Sequence, residues 1–160
     1  MENNFWGLTN STQEAKDIMS RYGNTGLHFD AHSRGSLTGL NMMNSFKQEG
    51  VNDVAGKTTI SFHGPAFNAL VASGLLGYVS DGKQTTIGFD GNRYDFVSRW
   101  IGGNGYTYET IPAGSNWWKE TWNMFSNSIN PHTCLGNASS ACRYVYGSSN
   151  LVQVPLRSKK

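Results

Sequence analysis

One short segment of the sequence, Ala31-His32-Ser33-Arg34-Gly35, places a serine between small residues two positions away on either side. This pattern is typical of a nucleophile on a sharp turn between a strand and a helix, where larger flanking side chains would collide with neighbouring elements. Such a turn would expose the Ser33 hydroxyl at a helix N-terminus, where the amide of Arg34 could donate to a developing oxyanion. The alternative interpretation is that Ser33 only caps the helix, a position that serine also favours.

A serine hydroxyl is a weak nucleophile unless a histidine takes its proton and a carboxylate orients that histidine. The last histidine of the chain, His132, lies far beyond Ser33 in a loop-like segment, and two candidate aspartates lie between them. Asp90 ends a predicted strand and Asp95 follows it on a loop, so either one gives the chain order serine, acid, histidine. The sequence therefore predicts an acyl-transfer triad of Ser33, His132 and one of these aspartates.

The elements that would position these residues alternate between helices and strands. Ser11 and Glu14 have the spacing of a capping box ahead of a first helix that ends at Gly23. Strands are predicted at residues 27–31, 58–62 and 85–89, helices at 36–50 and 67–72, and late strands at 144–146 and 151–154. This alternation predicts an α/β fold with a mostly parallel sheet, in which reactive groups gather beyond the carboxyl ends of the strands.

The composition restricts the class of protein. A chain of 160 residues with 15% charged and 12% aromatic residues suits one folded domain over residues 1–160. The net charge of +2 gives little electrostatic basis for binding nucleic acid, no apolar run is long enough to cross a membrane, and no leader is recognisable. No cofactor is expected, and Cys134 and Cys142 would allow a disulfide in an oxidising compartment.

Further residues are candidates for a substrate pocket beside the serine. His32 and His63 could line it, Gly64 could supply a second oxyanion donor or act as a plain turn glycine, and the tryptophans could form an apolar wall or belong to the core. The aromatic candidates are Trp100, Trp117, Trp118, Trp122 and Phe125. In a rival interpretation, His28, His32 and His63 near Asp30 would serve as the acid and base of a nuclease or as metal ligands.

Three segments resemble a lipase-like region of large bacterial filamentous haemagglutinin and contact-dependent growth inhibition proteins, over about residues 24–136. They are residues 31–38 (AHSRGSLT), residues 95–97 (DFV) with 101–104 (IGGN), and residues 131–133 (PHT). The resemblance implies a reduced, three-layer α/β-hydrolase fold and a serine hydrolase in which Asp95, not Asp90, completes the triad. Its substrate would be an ester, with a lipid or phospholipid ester as one class. Only one predicted helix precedes the first strand, which leaves the second oxyanion donor unassigned.

The start of the chain, Met1-Glu2-Asn3-Asn4, is similar to the Val-Glu-Asn-Asn boundary before the C-terminal toxins of those proteins. The resemblance implies a toxin domain of a larger secreted or cell-surface protein, delivered into neighbouring bacterial cells. It also implies a cognate immunity protein as partner and transient membrane contact, with no nucleic-acid partner. The alternatives are a nuclease toxin and a noncatalytic delivery module that retains the scaffold.

Overall fold

The computed structural model describes residues 9–110, 113–114, 116–126, 131–134 and 148–156. A mostly parallel sheet with helices packed on it forms the main body of these residues. The elements in chain order are α1 (Thr9–Tyr22), β1 (His28–His32), α2 (Arg34–Gln48), β2 (Thr59–His63), α3 (Ala69–Val79), β3 (Thr86–Asp90), a π-helical turn (Val97–Ile101), β4 (Tyr108–Thr110), α4 (Trp117–Ser126), β5 (Ser148–Ser149) and β6 (Val152–Pro155).

The main sheet has the strand order β1-β2-β3-β6, in which β1, β2 and β3 are parallel and β6 runs antiparallel to β3. A separate two-stranded pair joins β4 to β5. The α/β fold with a mostly parallel sheet is thus confirmed. In the register of the parallel strands, His32 lies opposite His63 and His63 lies opposite Asp90. The last residues of the three strands therefore meet at one edge of the sheet.

The core lies between this sheet and the helices α2 and α3, with α1 packed against α2. Its largest fully buried side chains include Met42 on α2, Phe62 on β2 and Leu76 on α3. A Cβ atom at Gly39 would lie 2.6 Å from the ring of Phe29 and 3.0 Å from that of Phe62. The absence of a side chain at Gly39 therefore lets α2, which starts directly after Ser33, approach the sheet closely.

Some boundaries differ from those predicted. Ser11 lies inside α1 rather than at its start, so the predicted capping box is wrong. α3 runs to Val79, beyond the predicted end, because Leu75, Leu76 and Val79 continue the buried face. The late strand predicted at 151–154 is the antiparallel strand β6, and the one predicted at 144–146 lies outside the described residues. None of the described helices is both long and apolar enough to span a bilayer.

Candidate active site

Ser33 occupies the sharp turn between β1 and α2, with a φ of 52° and a ψ of −114°. Its amide donates to the carbonyl of His63 on the neighbouring strand at 3.1 Å. A Cβ atom at Gly35 would lie 3.6 Å from the Cβ of Ala31, which is ordinary van der Waals contact. The small residues on either side of Ser33 thus face each other across the turn, as the pattern predicts.

Ser33, His132 and Asp95 meet in a chain of hydrogen bonds although Ser33 and His132 are 99 residues apart in sequence. The Nδ1 atom of His132 lies 2.9 Å from Oδ1 of Asp95, and its Nε2 atom lies 2.7 Å from Oγ of Ser33. A carboxylate only accepts, so Nδ1 carries the proton and donates it. In the neutral ring, Nε2 is then an acceptor for the Ser33 hydroxyl, which is the tautomer that a general base requires.

Asp95 is fully buried in the loop that leads into the π-helical turn. Its Oδ1 also accepts the amide of Ser98 at 3.1 Å, and its own amide donates to the carbonyl of Asn92 at 3.1 Å. Its Oδ2 has no hydrogen-bond partner within the described chain. The bonds to Asn92 and Ser98 therefore hold the backbone and the carboxylate of Asp95, and Oδ1 faces His132.

Asp90, the rival acid, has a different partner. Its Oδ2 lies 3.1 Å from Nδ1 of His63, and Oδ1 of Asp30 lies 2.8 Å from Nε2 of the same ring. Burial lowers the pKa of His63, but the hydrogen bond to Asp90 and the charge of Asp30 outweigh it, so the pKa is raised overall. The His63 ring between two carboxylates, which favour its charged form, links β1, β2 and β3 next to Ser33, and we call these three side chains the strand-end clamp.

His28 and His32, which the nuclease interpretation groups with His63, each have a different hydrogen-bond partner. His28 is exposed, with Nδ1 2.7 Å from Oγ1 of Thr59. His32 donates from Nε2 to the backbone carbonyl of His132 at 2.6 Å. Burial lowers the pKa of His32, as does the neighbouring His132, while the hydrogen bond to that carbonyl opposes the shift. Over the described ranges, no group of three or more His, Cys, Asp or Glu side chains is placed to hold a metal ion.

The two candidate oxyanion donors differ in their environment. Arg34 is the first residue of α2, where a backbone amide has no acceptor within the helix. The amide of Gly64 donates to the carbonyl of Asp90 at 2.8 Å, and the residue has a φ of 55°. The hydrogen bond and the positive φ therefore favour the plain turn glycine of the two alternatives for Gly64.

A set of partly to largely exposed aromatic rings begins directly beside Asp95. The Phe96 ring stacks on that of Trp100 with centroids 6.0 Å apart and meets Phe125 of α4 edge-on at 5.6 Å, while Trp117 lies 6.1 Å from Trp100. Trp100 is 66% exposed, and Trp118 and Trp122 are 76% and 75% exposed. These three tryptophans are therefore surface residues, and we call the set Phe96, Trp100, Trp117, Trp118, Trp122 and Phe125 the aromatic surface.

Asn104 is a positioning residue that the sequence indicated only as part of a resembling segment. Its Nδ2 donates to the carbonyls of Phe67 at 2.8 Å and Ser98 at 3.2 Å, and its Oδ1 accepts the amide of Ala69 at 2.9 Å. These bonds join the turn after Asp95 to the start of α3. An asparagine in a glycine-rich stretch was the available signal, since such a side chain often binds backbone groups.

Cys134, two residues after His132, is disulfide-bonded and 1% exposed. The only other cysteine of the chain, Cys142, lies outside the described residues.

Comparison of the sequence with protein-family models gives no match. Searches of curated proteins and of solved structures also find no similar protein.

We predict that His63→Gln lowers the free energy of unfolding most at acidic pH. Because the folded pKa of His63 is raised above the ordinary value of about 6.5, the charged ring contributes fully below that pH. The contribution is lost as the pH rises through the folded pKa. Urea denaturation should therefore show a difference from wild type that is largest below about pH 6.5 and shrinks as the pH rises through the raised folded pKa.

The matched control is His28→Gln. This change removes an exposed histidine at the start of β1, away from the carboxyl ends of the strands, and should change the free energy of unfolding little. A deficit of His63→Gln that stays constant or grows with pH would show that the clamp is not an ion pair.

Proposed function

We propose that this protein is a serine hydrolase that cleaves an ester by acyl transfer through Ser33. The observation that carries the proposal is the continuous hydrogen-bond chain from the Ser33 hydroxyl through His132 to the buried Asp95. Nucleophile, base and orienting acid lie at hydrogen-bonding distance and in the order that activates a serine. The placement of Ser33 at the start of α2 adds the Arg34 amide as an oxyanion donor.

The reaction follows from these positions. Nε2 of His132 takes the proton of the Ser33 hydroxyl while Oγ attacks the ester carbonyl carbon, and the negative charge on the carbonyl oxygen is stabilised at the N-terminus of α2. As the intermediate collapses, His132 returns the proton to the leaving alcohol, and an acyl-Ser33 remains. Water then gives a proton to Nε2 as its oxygen attacks the acyl carbon, and when this second intermediate collapses His132 returns that proton to Oγ, which releases the acid and restores the Ser33 hydroxyl. Asp95 holds the ring of His132 and stabilises its charged form throughout.

We predict that a fluorophosphonate probe labels the wild-type protein at Ser33 and does not label Ser33→Ala. Asp95→Asn preserves size but removes the acceptor that sets the tautomer of His132, so labelling should slow by roughly 100- to 10,000-fold. The measurement is the second-order rate of labelling, with the modified residue located by mass spectrometry.

Two further variants make this test specific for the assigned acid. Asp90→Asn should slow labelling far less than Asp95→Asn, because the hydrogen bond that orients the His132 ring comes from Asp95, whereas Asp90 bonds to His63. Asp53→Asn changes an exposed carboxylate outside the site and controls for charge alone. Labelling of Ser33→Ala, or equal losses in the two variants at 90 and 95, would contradict the assigned triad.

The aromatic surface supports an acyl chain or lipid as part of the substrate. It starts at the partly exposed Phe96, the residue after Asp95, and continues through Trp100 to Phe125 of α4, so a continuous row of aromatic rings leads away from the triad. Exposed tryptophans are unusual unless they bind something apolar, and tryptophan also suits the boundary between water and lipid. A lipid or phospholipid ester is the substrate class that this composition favours.

We predict that Trp100→Ala lowers kcat/KM for a long-chain p-nitrophenyl ester roughly tenfold while changing the value for the acetate ester little. The loss corresponds to removing contact with about two methylene groups of the acyl chain. Tyr22→Ala, which removes an exposed aromatic ring from α1, is the control. An equal change for both esters would show that Trp100 does not contact the acyl chain.

The toxin role belongs to the same proposal but rests on the resemblance of the residues alone. A hydrolase of membrane esters would explain growth inhibition on delivery into another bacterial cell and the need for an immunity protein that blocks Ser33. The rival nuclease function has less support, because His28, His32 and His63 have three different sets of partners.

We predict that expression of the wild-type chain inside bacterial cells stops growth and that expression of Ser33→Ala does not. Growth is measured after induction, together with the amount of folded protein for each variant. Equal inhibition by both would point to an activity that does not use Ser33, and intact growth with both would remove the toxin role.

A further inference from the structure

His132 is carried by residues 131–134, a described segment that belongs to no helix or strand. A general base on such a segment loses its geometry if the backbone moves, because proton transfer depends on hydrogen-bond distance. The side-chain bonds of His132 to Ser33 and Asp95 fix the ring only when the backbone is already close. An anchor for that backbone is therefore a requirement of the proposed site.

One anchor is the imidazole of His32. Its Nε2 lies 2.6 Å from the backbone carbonyl oxygen of His132, and the two rings are 4.9 Å apart between centroids with a tilt of 39°. Because a carbonyl only accepts, Nε2 of His32 carries the proton and donates it. Both rings are partly buried, so water competes little for this bond.

His32 is next to Ser33 in the chain, so the position of the anchor is fixed relative to the nucleophile. His32 is the last residue of β1, paired with His63 on β2, and it directly precedes Ser33. The nucleophile and the anchor of the base are therefore consecutive residues at a rigid strand end. Any movement of this strand end carries both groups together and preserves the distance from Ser33 Oγ to His132 Nε2.

The surroundings of His32 also suit a ring that stays neutral. Burial has the largest effect and lowers the pKa of His32, the bond to the His132 carbonyl and Asp95 raise it, and His132 and His63 lower it further, so the pKa lies below its ordinary value. A neutral His32 does not repel the positive charge that His132 acquires when it takes the serine proton.

We infer that His32 is a positioning residue, which holds the backbone of His132 through the Nε2 hydrogen bond and so sets the distance between base and nucleophile. The inference rests on the proposed function and adds to it a fourth side chain that touches neither substrate nor reacting atom. The essential property is the hydrogen-bond donor at Nε2 and not the aromatic ring.

The test compares two substitutions that separate the donor from the ring. His32→Phe keeps a ring and removes the donor, and should lower kcat for a soluble ester about 10- to 100-fold, as expected when a partly buried carbonyl loses its partner, with KM within about threefold. His32→Gln places an amide N–H near the position of Nε2 and should keep kcat within about threefold of wild type. His28→Phe, the same change at the exposed start of β1, should leave kcat unchanged.

A second readout does not depend on turnover. The proton on Nδ1 of His132, held by Asp95, should give a low-field NMR resonance in wild type and His32→Gln that is lost in His32→Phe, with thermal unfolding showing that all three proteins are folded. Retention of the resonance and of kcat in His32→Phe, or equal loss in His32→Gln and His32→Phe, overturns the anchor. If wild type shows the resonance but no fluorophosphonate labelling, the hydrolase function fails and the NMR comparison still decides the role of His32.

Discussion

The parallel pairing of β1, β2 and β3 determines where every candidate group lies. Its register places His32, His63 and Asp90 side by side at the carboxyl ends of the strands, where open α/β sheets bind their ligands. The His63 side chain ties these ends together through Asp30 and Asp90, and the His63 backbone carbonyl accepts the amide of Ser33. The turn that carries Ser33 is thus supported by contacts of His63 that take no part in the proposed chemistry.

The position of Ser33 could be predicted because its determinants are local. A strand, a turn flanked by Ala31 and Gly35, and the following helix are all encoded within about twenty consecutive residues. The choice between Asp90 and Asp95 could not be made from the pattern, because it depends on which histidine each carboxylate reaches across the sheet. Only the register, with Asp90 opposite His63, leaves Asp95 for His132.

Three contacts could not be predicted from the sequence for the same physical reason, which is that each involves a backbone group. His32 donates to the carbonyl of His132, Asn104 binds the carbonyls of Phe67 and Ser98, and the amide of Gly64 is committed to Asp90. Every residue type carries the same backbone carbonyl, so the identity of the residue that supplies the carbonyl does not indicate the contact. Side-chain pairs such as Ser33 and His132 have recognisable chemistry, whereas these contacts require coordinates.

The backbone of Ser33 has a consequence for how the protein can change. A φ of 52° with a ψ of −114° is a conformation that costs a residue with a side chain on the order of 1–3 kcal/mol, and glycine adopts it with less strain. The hydroxyl is therefore held at the expense of the folded state. Glycine at this position would therefore relieve the strain and raise the free energy of unfolding, so the fold would be more stable without the hydroxyl that it presents.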